Sequence, residues 1–315
     1  MKILFLGFSR IVQRRLLPAA RGVPGLEPVE AATRTSAAAA AAAGLRCFED
    51  YDRALRETSA PLVYVSTVNE DHARWVERAL ERGRHVIVDK PAFTRAGDAA
   101  RLAELARRSG LCLAEAVVYG RHPQIAAARE LFAAAGSAPT RLTAAFSFPP
   151  LDPANFRWKR AHGGGALNDL GPYAVSAGRT FFGEAPTDIV ARVNARGAEV
   201  ESSFSVLATY PGGRSLVGHF GFDTEYCNAL RVLGPGASAE LDRPFTPPTD
   251  GPVEVTLRRS DKTEKRTLPA ADPFGLFLRE VTEAIEAGRT EPFARDLLAD
   301  AEALERLRQA AGSET

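Results

Sequence analysis

An α/β chain of two domains is what this sequence predicts, and three observations carry the prediction. Short apolar runs alternate with helix-like segments through the first third. Beyond about residue 120, longer segments alternate apolar and polar residues and are joined by turn-rich links such as 211–213 (PGG). The length, 315 residues, suits about two domains, each with its own core. The first pattern is that of a doubly wound parallel sheet. The second is that of an α+β domain with a large, mostly antiparallel sheet. The boundary is placed so that 1–119 form the first domain and 120–315 the second.

The elements follow from local pattern. Residues 2–7 (KILFLG) are an apolar run closed by Gly7, read as a buried strand, with a helix after it over 10–21. A second strand covers 27–33, and the alanine run at 36–44, ended by Gly44, is a strong helix former. Strands at 61–67, 85–91 and 111–117 alternate with helices at 70–83 and 95–110. In the remainder, strands are expected at 140–148, 187–196, 200–210, 213–222, 228–234 and 253–260. Helices are expected there at 121–135, 167–182, 274–287 and 297–311. Open α/β sheets hold ligands outside the carboxyl ends of their strands, so the site is expected in the cleft between the domains.

Composition narrows the function classes. Hydrophobic residues make up 45% and charged residues 25%, the balance of an ordinary globular chain. A net charge of +1 argues against a nucleic-acid partner. Five histidines and three scattered cysteines, with no C-x-x-C, argue against a zinc site or a disulfide framework. No cationic segment leading into an apolar run precedes the first strand, and no apolar run reaches membrane-spanning length. The expected compartment is the cytoplasm. Only five of the 40 basic residues are Lys: Lys2, Lys90, Lys159, Lys262 and Lys265. Where Arg does the routine surface work, a retained Lys suggests a need to share or lose a proton.

Two loops at strand ends suit a dinucleotide. The turn after the first strand follows G-x-G-x-x-G only at Gly7, with Ser9 and Val12 in the other two glycine positions. Ser9 is small and offers a hydroxyl to a phosphate, and Val12 costs only packing room. The N–H groups at the helix start, Arg10 and Ile11, remain available to pyrophosphate, as in a Rossmann-type domain. The second strand ends in Thr33, Arg34 and Thr35, where NAD-binding chains usually carry an acid for the ribose hydroxyls. An Arg there suits a 2′-phosphate and favours NADP(H) over NAD(H).

Two further motifs carry chemistry. VIVDKPAF places Asp89 and Lys90 just past the fourth strand. GGGALNDLGPY places Asp169 and Tyr173 four residues apart, on one helix face. A phenol can protonate the alkoxide that forms as hydride adds to a carbonyl, and a nearby ammonium lowers the phenol's pKa.

In this order and spacing the motifs resemble the glucose–fructose oxidoreductase/inositol dehydrogenase family (Gfo/Idh/MocA), over essentially the whole chain. LGFSRIVQRRLLPA is similar to its cofactor turn, and STVNEDHARWVERALERGRHVIVDKP to its third strand through E-K-P motif. EAVVYGRHPQ and GGGALNDLGPYAVSAGRTFFG follow in the expected positions. Lys90 matches the E-K-P lysine, with Asp89 in place of the usual Glu. Tyr173 stands where many members carry His, and members with Tyr there use it as the acid/base. The resemblance implies cofactor contacts from Ser66, Thr67, Asn69, His72 and Glu115, and dimers or tetramers built on the C-terminal sheet. Arg121 has two roles open, facing substrate or pairing with an acid. Arg157, Trp158 and Lys159 in FRWKR suit a sugar or a diphosphate, as stacking plus cations do. LDRPFTPP, 241–248, resembles a segment of the family's deoxysugar branches.

Three functions are compatible with these residues. One is an NADP-dependent reductase of a nucleotide-linked keto-sugar, with Lys90, Tyr173 and Asp169 in the reaction. Another is a dehydrogenase of a free sugar or dihydrodiol, running the same residues in reverse. The third is a dinucleotide-binding regulator, which would need neither Lys90 nor Tyr173.

Overall fold

Residues 1–312 are described by the computed structural model. Continuous apolar runs bury a parallel sheet on both faces. Its strands are β1 (Lys2–Leu6), β2 (Glu27–Ala32), β3 (Arg46–Phe48), β4 (Leu62–Val65), β5 (His85–Val88) and β6 (Leu113–Glu115). They lie in the order β3-β2-β1-β4-β5-β6, and every pair is parallel. The helices of this unit include α1 (Leu17–Gly22), α2 (Ala37–Ala42), α3 (Tyr51–Glu57), α4 (His72–Glu81) and α5 (Ala96–Arg108). Leu4, Leu6, Val63, Val65, Val86 and Val88 pack against Trp75, Val76 and Leu80 of α4 and Leu102 of α5. The strand order reverses between β1 and β4, the place where such sheets bind ligands.

The second unit is built on an eight-stranded sheet with the order β14-β13-β12-β11-β7-β10-β9-β8. Its elements begin with α6 (Pro123–Ala134), β7 (Arg141–Ser147), α7 (Ala166–Asp169) and α8 (Gly171–Phe182). The strands continue as β8 (Asp188–Arg196), β9 (Glu201–Tyr210), β10 (Arg214–Gly221) and β11 (Cys227–Gly234). They end with β12 (Ala237–Asp242), β13 (Val253–Arg259) and β14 (Lys262–Leu268). Only β7 and β10 pair in parallel. Phe146, Phe204, Phe220, Leu216 and Val232 form the covered side, with Ile125 and Phe132 of α6 and Ala174 and Ala177 of α8.

The division into units is not the one expected from sequence. Met1–Ala116 cluster with Phe274–Ala301, and Val117–Pro273 cluster with the chain from Glu302 onward. The returning segment holds α9 (Pro273–Glu286) and the start of α10 (Glu291–Ala310). Leu297 and Ala301 join the core around β1, β4 and β5, which accounts for their place in the first unit. Further on, Ala303, Leu304 and Leu307 belong to the core of the second.

Local differences have local causes. The helix expected over 167–182 is two, α7 and α8, because Pro172 can supply no N–H to the Asn168 carbonyl. The helix after β1 opens as a π-turn over Val12–Leu16 before α1. The last helix starts at Glu291, with Pro292 in its first turn, where a missing N–H costs nothing. β3, α3, β12 and β14 lie where no element was expected.

Candidate active site

The carboxyl ends of β1, β2, β4, β5 and β6 gather most of the predicted cofactor residues on one edge of the parallel sheet. Gly7 takes φ +96°, and a Cβ there would lie 2.2 Å from the Ser66 carbonyl oxygen, so only glycine fits between β1 and β4. Ser9 caps the helix: its Oγ accepts the Val12 N–H at 3.3 Å. The same oxygen is 2.7 Å from Ser66 Oγ. Ser66 in turn donates to Asp89 Oδ2, and the Tyr64 hydroxyl donates to Asp89 Oδ1. Arg10 and Ile11, in the first helical turn, have N–H groups that the helix itself does not use. Ile11 is 37% exposed, an apolar side chain left uncovered at the rim of the turn.

At the end of β2, Thr33 is buried and its Oγ1 accepts the N–H groups of Thr35 and Ser36 at 3.4 and 3.1 Å. Arg34 is exposed, its guanidinium carbon 5.0 Å from the Tyr51 ring centroid. Burial pushes the Tyr51 phenol up, and the Arg34 charge pulls it partly back. Glu30, the acid nearer the end of this strand, is turned inward to Thr58 and Arg46. The strand end therefore presents a cation and no carboxylate, a surface that fits a 2′-phosphate.

His72 lies beneath the Thr67 loop rather than on the surface of α4. It is 0% exposed, with Nδ1 3.0 Å from the Pro91 carbonyl and Nε2 3.3 Å from that of Thr67. Burial lowers its pKa, more than the Asp89 charge and the carbonyls restore it. The ring braces the Thr67 loop against the segment after Lys90 and presents no face to a cofactor. Glu115 braces the same segment, accepting the Ala92 N–H at 2.7 Å. Asn69 is buried beside Thr67, whose hydroxyl turns to the Val68 carbonyl. Lys90 is half-buried in a cis Lys90–Pro91 peptide.

The second unit holds Asp169 and Tyr173. Asp169 Oδ2 pairs with Arg157 Nε at 2.8 Å, and the carboxylate is almost wholly buried. Tyr173, on the first turn of α8, is walled by Tyr119, Phe146 and Phe245, with ring centroids at 6.0, 5.2 and 5.3 Å. The Tyr119 hydroxyl is tied to Ser176 and Thr180. This aromatic cage was missed in the sequence, because its members come from four separate elements.

The three glycines explain how FRWKR meets α7. A Cβ on Gly164 would lie 2.4 Å from the Arg157 carbonyl oxygen, so the loop closes directly onto the glycines. Gly165 takes φ +102°, and a Cβ there would lie 2.3 Å from Glu201 Oε1. Glu201, also missed, accepts the Leu167 N–H at 2.9 Å and so caps the helix that ends in Asp169. Burial pushes its carboxyl up. A lone Glu at the head of the largely apolar and Ser-rich β9 is the signal that would have found it. Two expected substrate residues are otherwise engaged. Lys159 pairs with Glu199 at 2.8 Å, and Trp158 packs on Phe222 while donating to the Leu151 carbonyl. Arg121, in the turn before α6, donates to the Val117 carbonyl at 3.2 Å. Arg157 is brought to Asp169. Among the described residues no cluster of His, Cys, Asp or Glu could hold a metal ion, and no helix is long and apolar enough to cross a membrane.

Comparison with known proteins places this arrangement. Residues 1–117 match the Gfo/Idh/MocA oxidoreductase family, NAD-binding Rossmann fold, and residues 127–240 match its C-terminal domain. A dTDP-3,4-didehydro-2,6-dideoxy-α-D-glucose 3-reductase of Streptomyces violaceoruber is 34% identical, covering 97% of this chain and 94% of its own. An NADP(+)-dependent D-xylose 1-dehydrogenase of Haloferax volcanii is 28% identical over 92% of this chain and 91% of its own. KijD10, a 3-ketoreductase from Actinomadura kijaniata solved with NADP and TDP-benzene, superposes with a TM-score of 0.91 at 29% identity. That match covers 99% of this chain and 98% of KijD10. The chain belongs to the Gfo/Idh/MocA family of oxidoreductases.

Proposed function

We propose that this protein is an NADP-dependent ketoreductase acting on a nucleotide-linked keto-sugar. The observation that carries the substrate class is the 34% identity, over nearly both full chains, with a reductase of a dTDP-linked 3-keto sugar. The Arg34 cation where the second strand ends, with Glu30 turned inward, supports NADPH as the cofactor.

Bound NADPH supplies the hydride. Gly7 makes the tight turn, the N–H groups of Arg10 and Ile11 receive the pyrophosphate, and Arg34 pairs with the 2′-phosphate. Ser66, Thr67, Asn69, Asp89 and Glu115 shape the loops around the nicotinamide, and His72 supports them from beneath. Lys90 holds the substrate carbonyl oxygen. Tyr173 delivers a proton to that oxygen as the carbonyl carbon takes the hydride, leaving an alcohol and the oxidised cofactor. Asp169, oriented by Arg157, accepts from a neighbouring sugar hydroxyl. The assembly proposed is a homodimer or homotetramer through the C-terminal sheet. Its outward face carries Val190, Leu207 and Val217 in one cross-strand row, each 42–54% exposed.

The test is loss of NADPH absorbance with dTDP-3,4-didehydro-2,6-dideoxy-D-glucose, beside NADP(+) reduction with free aldoses. Oxidation of NADPH by the sugar nucleotide alone is expected. Reduction of NADP(+) by a free aldose, with no reaction of the sugar nucleotide, would favour the xylose-dehydrogenase relative instead.

A further inference from the structure

The serine at the second glycine position of the cofactor turn is tied to the loop that carries Lys90, and the direction of the tie can be worked out. Asp89 is an acceptor only, and it takes one hydroxyl proton from Tyr64 and one from Ser66. Ser66 has a single proton, and the carboxylate holds it. At the 2.7 Å contact between Ser9 Oγ and Ser66 Oγ, the proton must therefore be that of Ser9. Ser9 in turn accepts the N–H of Val12. The chain runs one way: Val12 N–H to Ser9 O–H to Ser66 O–H to the Asp89 carboxylate. Such a chain polarises each bond along its length.

We infer that Ser9 is a positioning residue whose proton is committed inward, and that a Ser9–Ser66–Asp89 relay fixes the dinucleotide turn relative to the D-K-P loop. Ser9 is then not the phosphate donor that its place in the turn suggests. The pyrophosphate is left to the backbone of the turn and to the exposed Arg10 side chain. Asp89 acts here by holding Ser66 and Tyr64, one residue away from Lys90. The inference rests on the reading of this turn as the NADPH site only for its effect on binding. The relay itself is present without a ligand.

The test compares Ser9→Gly, Ser9→Ala, Ser66→Ala and the Ser9→Gly/Ser66→Ala double variant by NADPH fluorescence titration. Restoring the missing glycine is expected to weaken binding, with Kd raised about five- to tenfold, the worth of one neutral hydrogen bond. Ser66→Ala should do the same, and the double variant should bind no more weakly than either single one. Tighter binding by Ser9→Gly, wild-type binding by Ser66→Ala, or additive losses in the double variant would each overturn the relay. A second measurement needs no cofactor. Amide exchange at Val12 should speed up about tenfold in Ser66→Ala and in Asp89→Asn, which leaves one acceptor oxygen for two hydroxyls, while β1 and β4 amides keep their protection. An unchanged Val12 rate overturns the relay. Failure of the unaltered protein to bind NADPH would sink the proposed function instead, and the exchange rates would still decide the relay.

Discussion

Arg34 and Tyr173 each put the proposed chemistry on a single side chain. Arg34 lies over Tyr51 at the end of β2, and Glu30 of that strand is turned inward to Arg46 and Thr58. Arg34→Ala should reduce the preference for NADPH over NADH by about ten- to a hundredfold, the worth of a charge-assisted hydrogen bond to phosphate. Parallel titrations with the two nucleotides check this, and an unchanged ratio would leave Arg34 as no more than a partner of Tyr51. Tyr173→Phe keeps the ring inside its cage of Tyr119, Phe146 and Phe245 and removes only the hydroxyl. Turnover should fall about a hundred- to ten-thousandfold while NADPH affinity holds. A parallel loss of cofactor binding would contradict the role. Both stood out in the sequence as a cation at a strand end and a phenol at a helix start, four residues after an acid. The partners of His72, Lys159 and Trp158 had no such local signal. Those partners, the Pro91 and Thr67 carbonyls, Glu199 and Phe222, are set by packing between segments distant in sequence.

Among elements, α7 shows how a loop signature becomes a structural device. It has four residues, too few to hold together by its own hydrogen bonds, and its N-terminus is completed by Glu201 from β9. Gly165 admits that carboxylate, at φ +102° and ψ 154°, a region closed to other residues. Gly165→Ala should cost roughly 1–3 kcal/mol from the backbone alone, and more if Glu201 is displaced. Chemical denaturation measures the cost, and a neutral result would mean that the glycine is there only for loop flexibility. The triple glycine was visible in the sequence, but its partner lies far along the chain, beyond any local pattern. Strand recognition divided in the same way. β1, β4 and β5 show unbroken apolar runs, and β7, β8 and β13 show alternation, so both kinds could be read. β14 carries KTEKRTL, exposed along nearly its whole length, and has no apolar face to read. Its charges suit an edge strand that must not recruit another. β3 is three residues long, below any periodicity.

Across the whole molecule, buried ionisable groups set the response to pH. Burial lowers the pKa of His72, His85 and His122 from 6.5. Below about pH 6.5 the unfolded chain takes up protons that the folded chain refuses, so stability is full above that value and falls on acidification. Glu201 acts in the opposite sense. Its raised carboxyl keeps a proton in the folded state above 4.5, which favours folding as the pH drops. Melting temperature should therefore fall from about pH 7.5 to about pH 5.5, and more steeply in Glu201→Gln, which keeps the acceptor for Leu167. A flat profile would mean that the histidines ionise inside the fold. The open face of the large sheet bears on assembly. Leu207 lies directly between Val190 and Val217 in cross-strand register, so Leu207→Asp places a charge at the centre of the apolar row. Light scattering should show a smaller particle with an unchanged fold, and an unchanged mass would place the contact elsewhere.

The path of the chain carries a consequence for inheritance. It passes between the units after Ala116, after Pro273 and after Ala301. A gene exchange with one crossover near residue 117 would deliver six strands without α9 or the Leu297 and Ala301 side chains that close their core. Moving the dinucleotide unit intact takes a second, distant segment of the gene as well. New substrate preferences in such a chain are therefore more readily reached by change within the second unit, around the Tyr173 cage and the FRWKR loop, than by trading the first for another.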